Sequence, residues 1–292
     1  YLLKEMTAAA ENDLVGFDKA LWAHVGFLIS NGVRAPFLAL TGARFSKSPV
    51  SGPTAPYYRQ INRLSAAFTF TADLALLILG GKFKFAEKLS GRFADALAYL
   101  YLASATLRRF EDDGRPEEDL PVLRFAVQDS LNKVEEALYG VYRNFPIPAL
   151  GPVMRVLNFP LGRRNVPVDD RTGRKIARQL LEKSATRERL IDGIYISEEE
   201  DGAGIVLKAF DAVLKAEPAE HALRNALKVV PNPSNVHAVT EKAVKAGVIT
   251  EDQAADLIKA QELSARVIAV DEFTPEQLGT AIEPQPRLAE AV

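Results

Sequence analysis

Three histidines occur in the 292 residues, His24, His221 and His237, and none has another histidine three or four positions away. A helical His-pair metal site is therefore not visible. Cysteine is absent, which excludes disulfides, thiolate nucleophiles, zinc–cysteine sites and iron–sulfur clusters. Carboxylates cluster at residues 111–113, 117–119 and 198–201. Paired carboxylates do acid–base work only where their environments push their pKa values apart. These lie in polar connecting runs, where each simply ionises. Gly80-Gly81 followed by Lys82 and Lys84 brings glycine and positive charge together. The phosphate-loop spacing G-x-x-x-x-G-K-[ST] does not occur, so the pair reads as a glycine-capped turn between helices. Neither a G-x-S-x-G elbow nor a G-x-G-x-x-G dinucleotide motif is present. No catalytic, cofactor-binding or metal-binding residue is assigned.

The elements that would position any chemistry are helices almost throughout. Asn12 and Asp13 offer an N-cap for a helix over 14–30, which Asn31-Gly32 stops or kinks. A short apolar helix over 33–43 would then carry Pro36 in its first turn. Residues 46–56, SKSPVSGPTAP, read as a loop. Three long helices follow, over 57–79, 82–110 and 122–142. Leu89, Phe93, Leu97, Leu100, Leu107 and Phe110 recur at helical spacing on the second, and Leu123, Val127, Leu131, Val134 and Leu138 on the third. Short links between long amphipathic helices imply an antiparallel bundle. Trp22 and the phenylalanines fall on helical stripes and read as core.

From residue 169 the helices become shorter and more polar, over about 174–181, 184–193, 204–216, 219–229, 236–246 and 251–268. Thr250 and Gln253 form a capping box, and Thr274 with Gln277 repeats it. The fold class is thus all-α: a long antiparallel helix bundle followed by a second group of shorter helices. The organisation expected is a bundle over 1–143, an apolar Pro-rich crossover over 144–168, a smaller helical subdomain over 169–282 and a tail over 283–292.

Two stretches raise the question of a membrane. Residues 64–81 are nearly long enough to span a bilayer, but Asp73 stands near their middle. A carboxylate in lipid costs roughly 2.5 to 3.5 kcal/mol on insertion scales, so a helix in the centre of a bundle is the better reading. Residues 144–164, NFPIPALGPVMRVLNFPLGRR, pack four prolines among apolar side chains. Phe145, Leu150, Val153, Met154, Leu157 and Phe159, beside Arg155, Arg163 and Arg164, form the candidate membrane contact. A buried crossover that closes the apolar end of the bundle is the competing reading.

A formal charge of −2 gives no reason to expect a nucleic-acid partner. The lack of cysteine is compatible with cytoplasm. The opening residues read as a helix already under way, with no capping residue before them and no signal pattern, so preceding sequence is expected.

Residues 79–131, LGGKFKFAEKLSGRFADALAYLYLASATLRRFEDDGRPEEDLPVLRFAVQDSL, carry the fullest resemblance to a known family. KEMTAAAENDLVGFDKALWAHVG near the start, NFPLGR, SATRERL and IAVDEFTPEQL extend it in the same order along the chain. Together they resemble the C-terminal region of the large bacterial acyl-coenzyme A dehydrogenases of fatty-acid β-oxidation. The resemblance implies that the whole enzyme oxidises a fatty acyl-CoA to the trans-2-enoyl-CoA. FAD would accept the β-hydride, a glutamate would take the α-proton, and electrons would pass to an electron-transferring flavoprotein. It also implies that the glutamate and the FAD contacts lie in an upstream dehydrogenase core, leaving this region inactive alone. The expected partners are that core, a second copy of the chain in a homodimer, and a membrane surface. The expected location is cytoplasmic, peripheral on the inner membrane. A self-standing helical module that binds a membrane or a protein is the alternative.

Overall fold

Apolar residues recurring every three or four positions become helix along nearly the whole chain, and no strand forms among the described residues. The computed structural model describes residues 1–269 together with Phe273 and Leu278. The capping pair expected at Thr274 and Gln277 and the tail expected over 283–292 lie outside the described residues. The all-α fold class holds. Two compact units divide between Arg187 and Glu188.

The first unit opens with α1 (Leu2–Ala10) and α2 (Leu14–Leu40). As expected, Asp13 caps α2, its side chain accepting from the Gly16 amide at 2.9 Å. Three long helices follow: α3 (Ala55–Leu79), α4 (Glu87–Asp112) and α5 (Leu120–Arg143). A 3-10 turn, Gly80–Phe85, joins α3 to α4, with Gly80 at φ +52° ending α3. The Thr54 hydroxyl, just before α3, donates to Glu111 near the end of α4 at 2.7 Å. Arg92 lies against Gly140, and the Lys133 ammonium stands 5.1 Å from the Tyr99 ring centroid. Each consecutive pair of long helices therefore runs antiparallel, the bundle that the apolar stripes imply.

All five residues of the α5 stripe are buried. On α4 one expected member is wrong: Leu97 is 55% exposed, and Ala96 and Ala103 take the inward positions instead. These alanines keep the helix surface low where Leu131, Val134 and Leu138 belong to the same core. By length and composition, Ala55–Phe85 is apolar enough to cross a membrane. In the fold Leu64, Ala67, Thr71 and Ala75 are buried, and Ala66 packs with Ala35 and Leu38 of α2. α3 thus has helices on two sides, the central place in the bundle.

α2 corrects a second expectation. It continues through Asn31-Gly32 and past Pro36 as a single helix. A Cβ on Gly32 would stand 3.1 Å from the Phe70 ring, so glycine here admits α3 rather than ending α2. Pro36 removes one helical hydrogen bond, while Ala35, Leu38 and Ala39 on either side of it are buried and hold the line. Trp22 is a third correction, at 71% exposed rather than in the core. Phe37, Phe45 and Phe85 are exposed as well.

Beyond α5 come α6 (Leu150–Asn158), α7 (Asp170–Leu180) and α8 (Ala185–Ile191). Gln179 donates to the Glu118 carbonyl at 2.7 Å, and the Thr186 hydroxyl to Asp119 at 2.5 Å. These bonds keep α7 with the first unit, so the division falls later than the change of character at residue 144. In the second unit, α9 (Gly202–Ala226), α10 (Val236–Lys245) and α11 (Glu251–Ile268) enclose a core of Ala216, Ala219, Leu223, Val236, Leu257 and Ala260. α9 replaces the two helices expected over 204–216 and 219–229. Pro218 lies inside it, and buried residues on both sides of the proline keep the two halves on one line. The Thr250–Gln253 capping box of α11 is present.

One ion pair lies in the core of the first unit. Arg63 of α3 donates to Glu135 of α5, with side chains 2% and 0% exposed. Burial pushes the Arg63 guanidinium down from its ordinary value, and the Glu135 charge opposes that shift. Replacing Glu135 by leucine leaves a buried cation unpaired, which costs about 3–5 kcal/mol. Urea unfolding of Glu135→Leu is expected to show that loss, and the double change R63M/E135L to recover part of it. A Glu135→Leu midpoint equal to that of the parent chain would rule out a structural role for the pair.

Candidate functional site

The apolar, proline-broken segment over 144–164 reaches across the end of the bundle where α5 stops. Asn144 closes α5, its side chain donating to the Gly140 carbonyl at 2.8 Å. The chain turns through residues 145–149 and enters α6, whose entry needs glycine. A Cβ on Gly151 would stand 2.1 Å from the Tyr142 carbonyl oxygen, so only glycine lets α6 approach α5 this closely.

α6 separates the candidate residues by helical phase. Phe145 and Met154 are buried, and Leu150 packs against the core from a half-buried position. Phe159 packs edge-on to Tyr139 at 4.9 Å between centroids and lies 6.0 Å from Tyr142. Burial removes Phe145, Met154 and Phe159 from the expected membrane-contact set. Val153, Val156 and Leu157 face outward, and Ile147 and Leu161 beside the helix are exposed too. The segment thus has one face in the bundle core and one exposed apolar face. Within α6 only helical phase distinguishes Val153, Val156 and Leu157 from their buried neighbours Gly151, Met154 and Asn158.

The arginines separate in the same way. Arg163 donates to the Asn132 side chain at 2.6 Å and stands 6.0 Å from the Tyr139 ring centroid. The backbone amides of Arg164 and Asn165 both donate to Glu135 at 3.0 Å, and the Asn165 side chain donates at 2.7 Å. The Arg164 side chain lies against Gly42, where a Cβ would be 2.1 Å from Nη1. Arg143 and Arg155 are exposed and line a pocket of about 640 Å³ with Tyr139, Tyr142, Pro148 and Pro152.

A second pocket, of about 460 Å³, lies among α1, α2 and α3. Its walls include Leu21, Val25, Leu28 and Leu76, and its polar members are Glu5, His24 and Asp73. His24 Nδ1 is 2.8 Å from Glu5, and Tyr1 stacks on the imidazole at 5.7 Å between centroids. Burial raises the Asp73 carboxyl above its ordinary value, while His24 pulls it the other way. The sequence could not reveal this grouping, because positions 5, 24 and 73 meet only through helix packing. His221 and His237 do not join it, and lie in the second unit.

Several carboxylates of the acidic runs are paired, some with neighbours on the same helix and some across the fold. Glu111 receives Thr54 and Arg115, Asp112 receives Arg108 at 2.8 Å, and Glu200 receives Arg266. No group of three or more histidines and carboxylates that could hold a metal occurs among the described residues. The family described as acyl-CoA dehydrogenase, C-terminal, bacterial type, matches residues 1–273. The chain belongs to that family. It is the C-terminal region of an acyl-CoA dehydrogenase, and its setting is flavin-dependent fatty-acyl oxidation by the whole protein. No solved structure matches the chain.

For this C-terminal region two outcomes follow from the site geometry. Gly151→Ala forces a methyl group onto the Tyr142 carbonyl, and overpacking of this kind costs about 1–3 kcal/mol. The urea midpoint should fall accordingly, and an unchanged midpoint would show that α6 does not depend on the close approach. Asp73→Asn tests the raised carboxyl. A native pKa above the unfolded value means that the folded state binds more protons, so the group's stabilisation is lost as pH rises between the two. Asp73→Asn should therefore be more stable than the parent at pH 7, with the gain vanishing below the unfolded carboxyl pKa. The opposite pH trend would show that Asp73 is stabilised in its charged form.

Proposed function

We propose that this region places and helps to assemble the dehydrogenase, holding its upstream core against a membrane surface through α6. The observation that carries the reading is the outward face of α6. Val153, Val156 and Leu157 are exposed on a helix whose opposite face is fixed in the bundle core. Ile147 and Leu161 extend that apolar face, and Arg143 and Arg155 flank it with positive charge. Apolar side chains entering the headgroup boundary beside cations are the common chemistry of interfacial helices. Leu150, on the candidate set, supports the contact from below rather than entering lipid.

In this reading FAD and the catalytic glutamate belong to the upstream core, which passes electrons to an electron-transferring flavoprotein. The stripe of Trp22, Ile29, Val33, Phe37 and Leu40 left exposed along α2 supports the assembly half. Contiguous apolar surface of this extent marks a contact with another folded body. The dehydrogenase core or a second copy of the chain would cover it. The location that follows is the cytoplasmic face of the inner membrane.

Vesicle co-sedimentation tests the membrane half. The parent chain should pellet with phospholipid vesicles, and V153S/V156S/L157S should release it by roughly tenfold or more, at about 0.8 kcal/mol per buried methylene lost. Equal pelleting of the two, or none of either, would reject α6 as the contact.

A further inference from the structure

The three pockets described differ in the sign of their charge. Glu5 and Asp73 face His24 in the pocket among α1, α2 and α3. Between α9 and α11 the lining mixes Glu200, Asp211 and Asp256 with Lys208, Lys215 and Lys259. The pocket between α5 and α6 carries Arg143 and Arg155 and no carboxylate.

We infer that the pocket between α5 and α6 receives the phosphate headgroup of an anionic phospholipid. The inference rests on the membrane reading above and names the lipid chemistry at the same face. Neither Arg143 nor Arg155 has an ion-pair or side-chain hydrogen-bond partner among the described residues. Both guanidinium groups keep all their donors for a ligand. A planar fork of N–H groups matches a phosphate in two-point fashion, which a lysine does not.

A third guanidinium approaches from α4. Arg92 Nε lies 3.0 Å from where a Cβ on Gly140 would stand, and Gly140 lines the pocket. Glycine at 140 therefore lets Arg92 lie across α5 at the pocket's margin. Arg92 Nη1 donates to the Lys88 carbonyl at 2.9 Å and Arg163 is held by Asn132, so the open forks at this pocket are those of Arg143 and Arg155. Arg92, Arg143 and Arg155 come from three different helices, and no local sequence motif unites them.

The apolar surroundings select the source of the phosphate. Phe145, Pro148 and Pro152 form the pocket wall, and Arg155 shares α6 with the exposed Val153, Val156 and Leu157. A free phosphate ion makes no use of that surface. A phospholipid uses both parts, its headgroup between the arginines and its glycerol and acyl carbons along the outward face of α6.

The test is co-sedimentation of the full chain with vesicles of phosphatidylcholine alone and of phosphatidylcholine mixed with phosphatidylglycerol. R143Q/R155Q should lower partitioning onto the mixed vesicles by about 10- to 30-fold, from about 1 kcal/mol for each basic residue near an anionic surface. Its partitioning onto phosphatidylcholine should not change. K4Q/K19Q removes the same charge from exposed positions on α1 and α2, and should cost much less. Circular dichroism melts of both variants should match the parent, since all four side chains are exposed.

Parent-like binding of R143Q/R155Q to mixed vesicles, or an equal loss in K4Q/K19Q, would overturn the headgroup site. Either result leaves phosphatidylcholine binding and its V153S/V156S/L157S dependence intact, and so leaves the membrane reading standing. Calorimetry with inorganic phosphate separates the remaining source. Phosphate binding by the parent, without preference for mixed vesicles, assigns the site to a free anion and overturns the lipid. Absence of parent binding to both vesicles overturns the membrane reading and the headgroup site together.

Discussion

The carboxylate of Glu135, fully buried in the bundle, is the point on which the first unit is organised. It receives the Arg63 guanidinium from α3, the amides of Arg164 and Asn165, and the Asn165 side chain. A buried ion pair is seldom a net source of stability, since desolvation of both charges offsets much of their attraction. Its effect here is on arrangement. A carboxylate has about four acceptor positions, and these four donors occupy them. Sliding α3 along α5, or rerouting residues 164–165, would leave a buried charge short of partners. The pair therefore fixes the α3–α5 register and the path of the returning chain in one place.

That constraint reaches α6. The far end of the crossover is held at Glu135, and its near end by the approach of Gly151 to the Tyr142 carbonyl. Between them Phe159 fits against Tyr139 and Tyr142, with the Arg63 guanidinium carbon 5.5 Å from its ring centroid. The nine residues of α6 have little freedom to roll about their axis once both flanks are fixed. Exposure of Val153, Val156 and Leu157 is thus a consequence of buried polar geometry elsewhere. The same geometry leaves Arg143 and Arg155 without a side-chain acceptor among the described residues while committing Arg163.

Helicity and the α5 stripe were legible because they depend on spacing within one segment. Legibility failed wherever a partner far along the chain decides the outcome. Glu135 and Glu136 are adjacent and chemically alike, and Arg63, 72 positions away, selects which is buried. Leu97 and Ala96 are likewise adjacent, and the closeness of α5 favours the smaller one inside. Pro36 and Pro218 carry the local signal for a helix boundary. Buried residues on both sides of each outweigh one lost hydrogen bond, and α2 and α9 run on. Within the crossover, composition identified the unusual segment but not its two faces. Met154 and Val153 differ by one position, which on a helix is a turn of about 100°.

Length gives the remaining step. The rise of about 1.5 Å per residue makes α3, α4 and α5 rods of roughly 36 to 39 Å. Rods packed at fixed register convert a contact at one end into a defined position at the other. The outward face of α6 stands where α5 ends, whereas the exposed stripe of α2 runs back from Leu40 to Trp22, about 27 Å at the same rise. A surface contact made through α6 and a protein contact made through α2 can then coexist, because they use different lengths of the same bundle. Holding a catalytic body at a set height above a surface requires two such separated contacts and stiffness between them. It requires no reactive group, and in this region the carboxylates at residues 111, 112, 135 and 200 are all engaged in structural pairing.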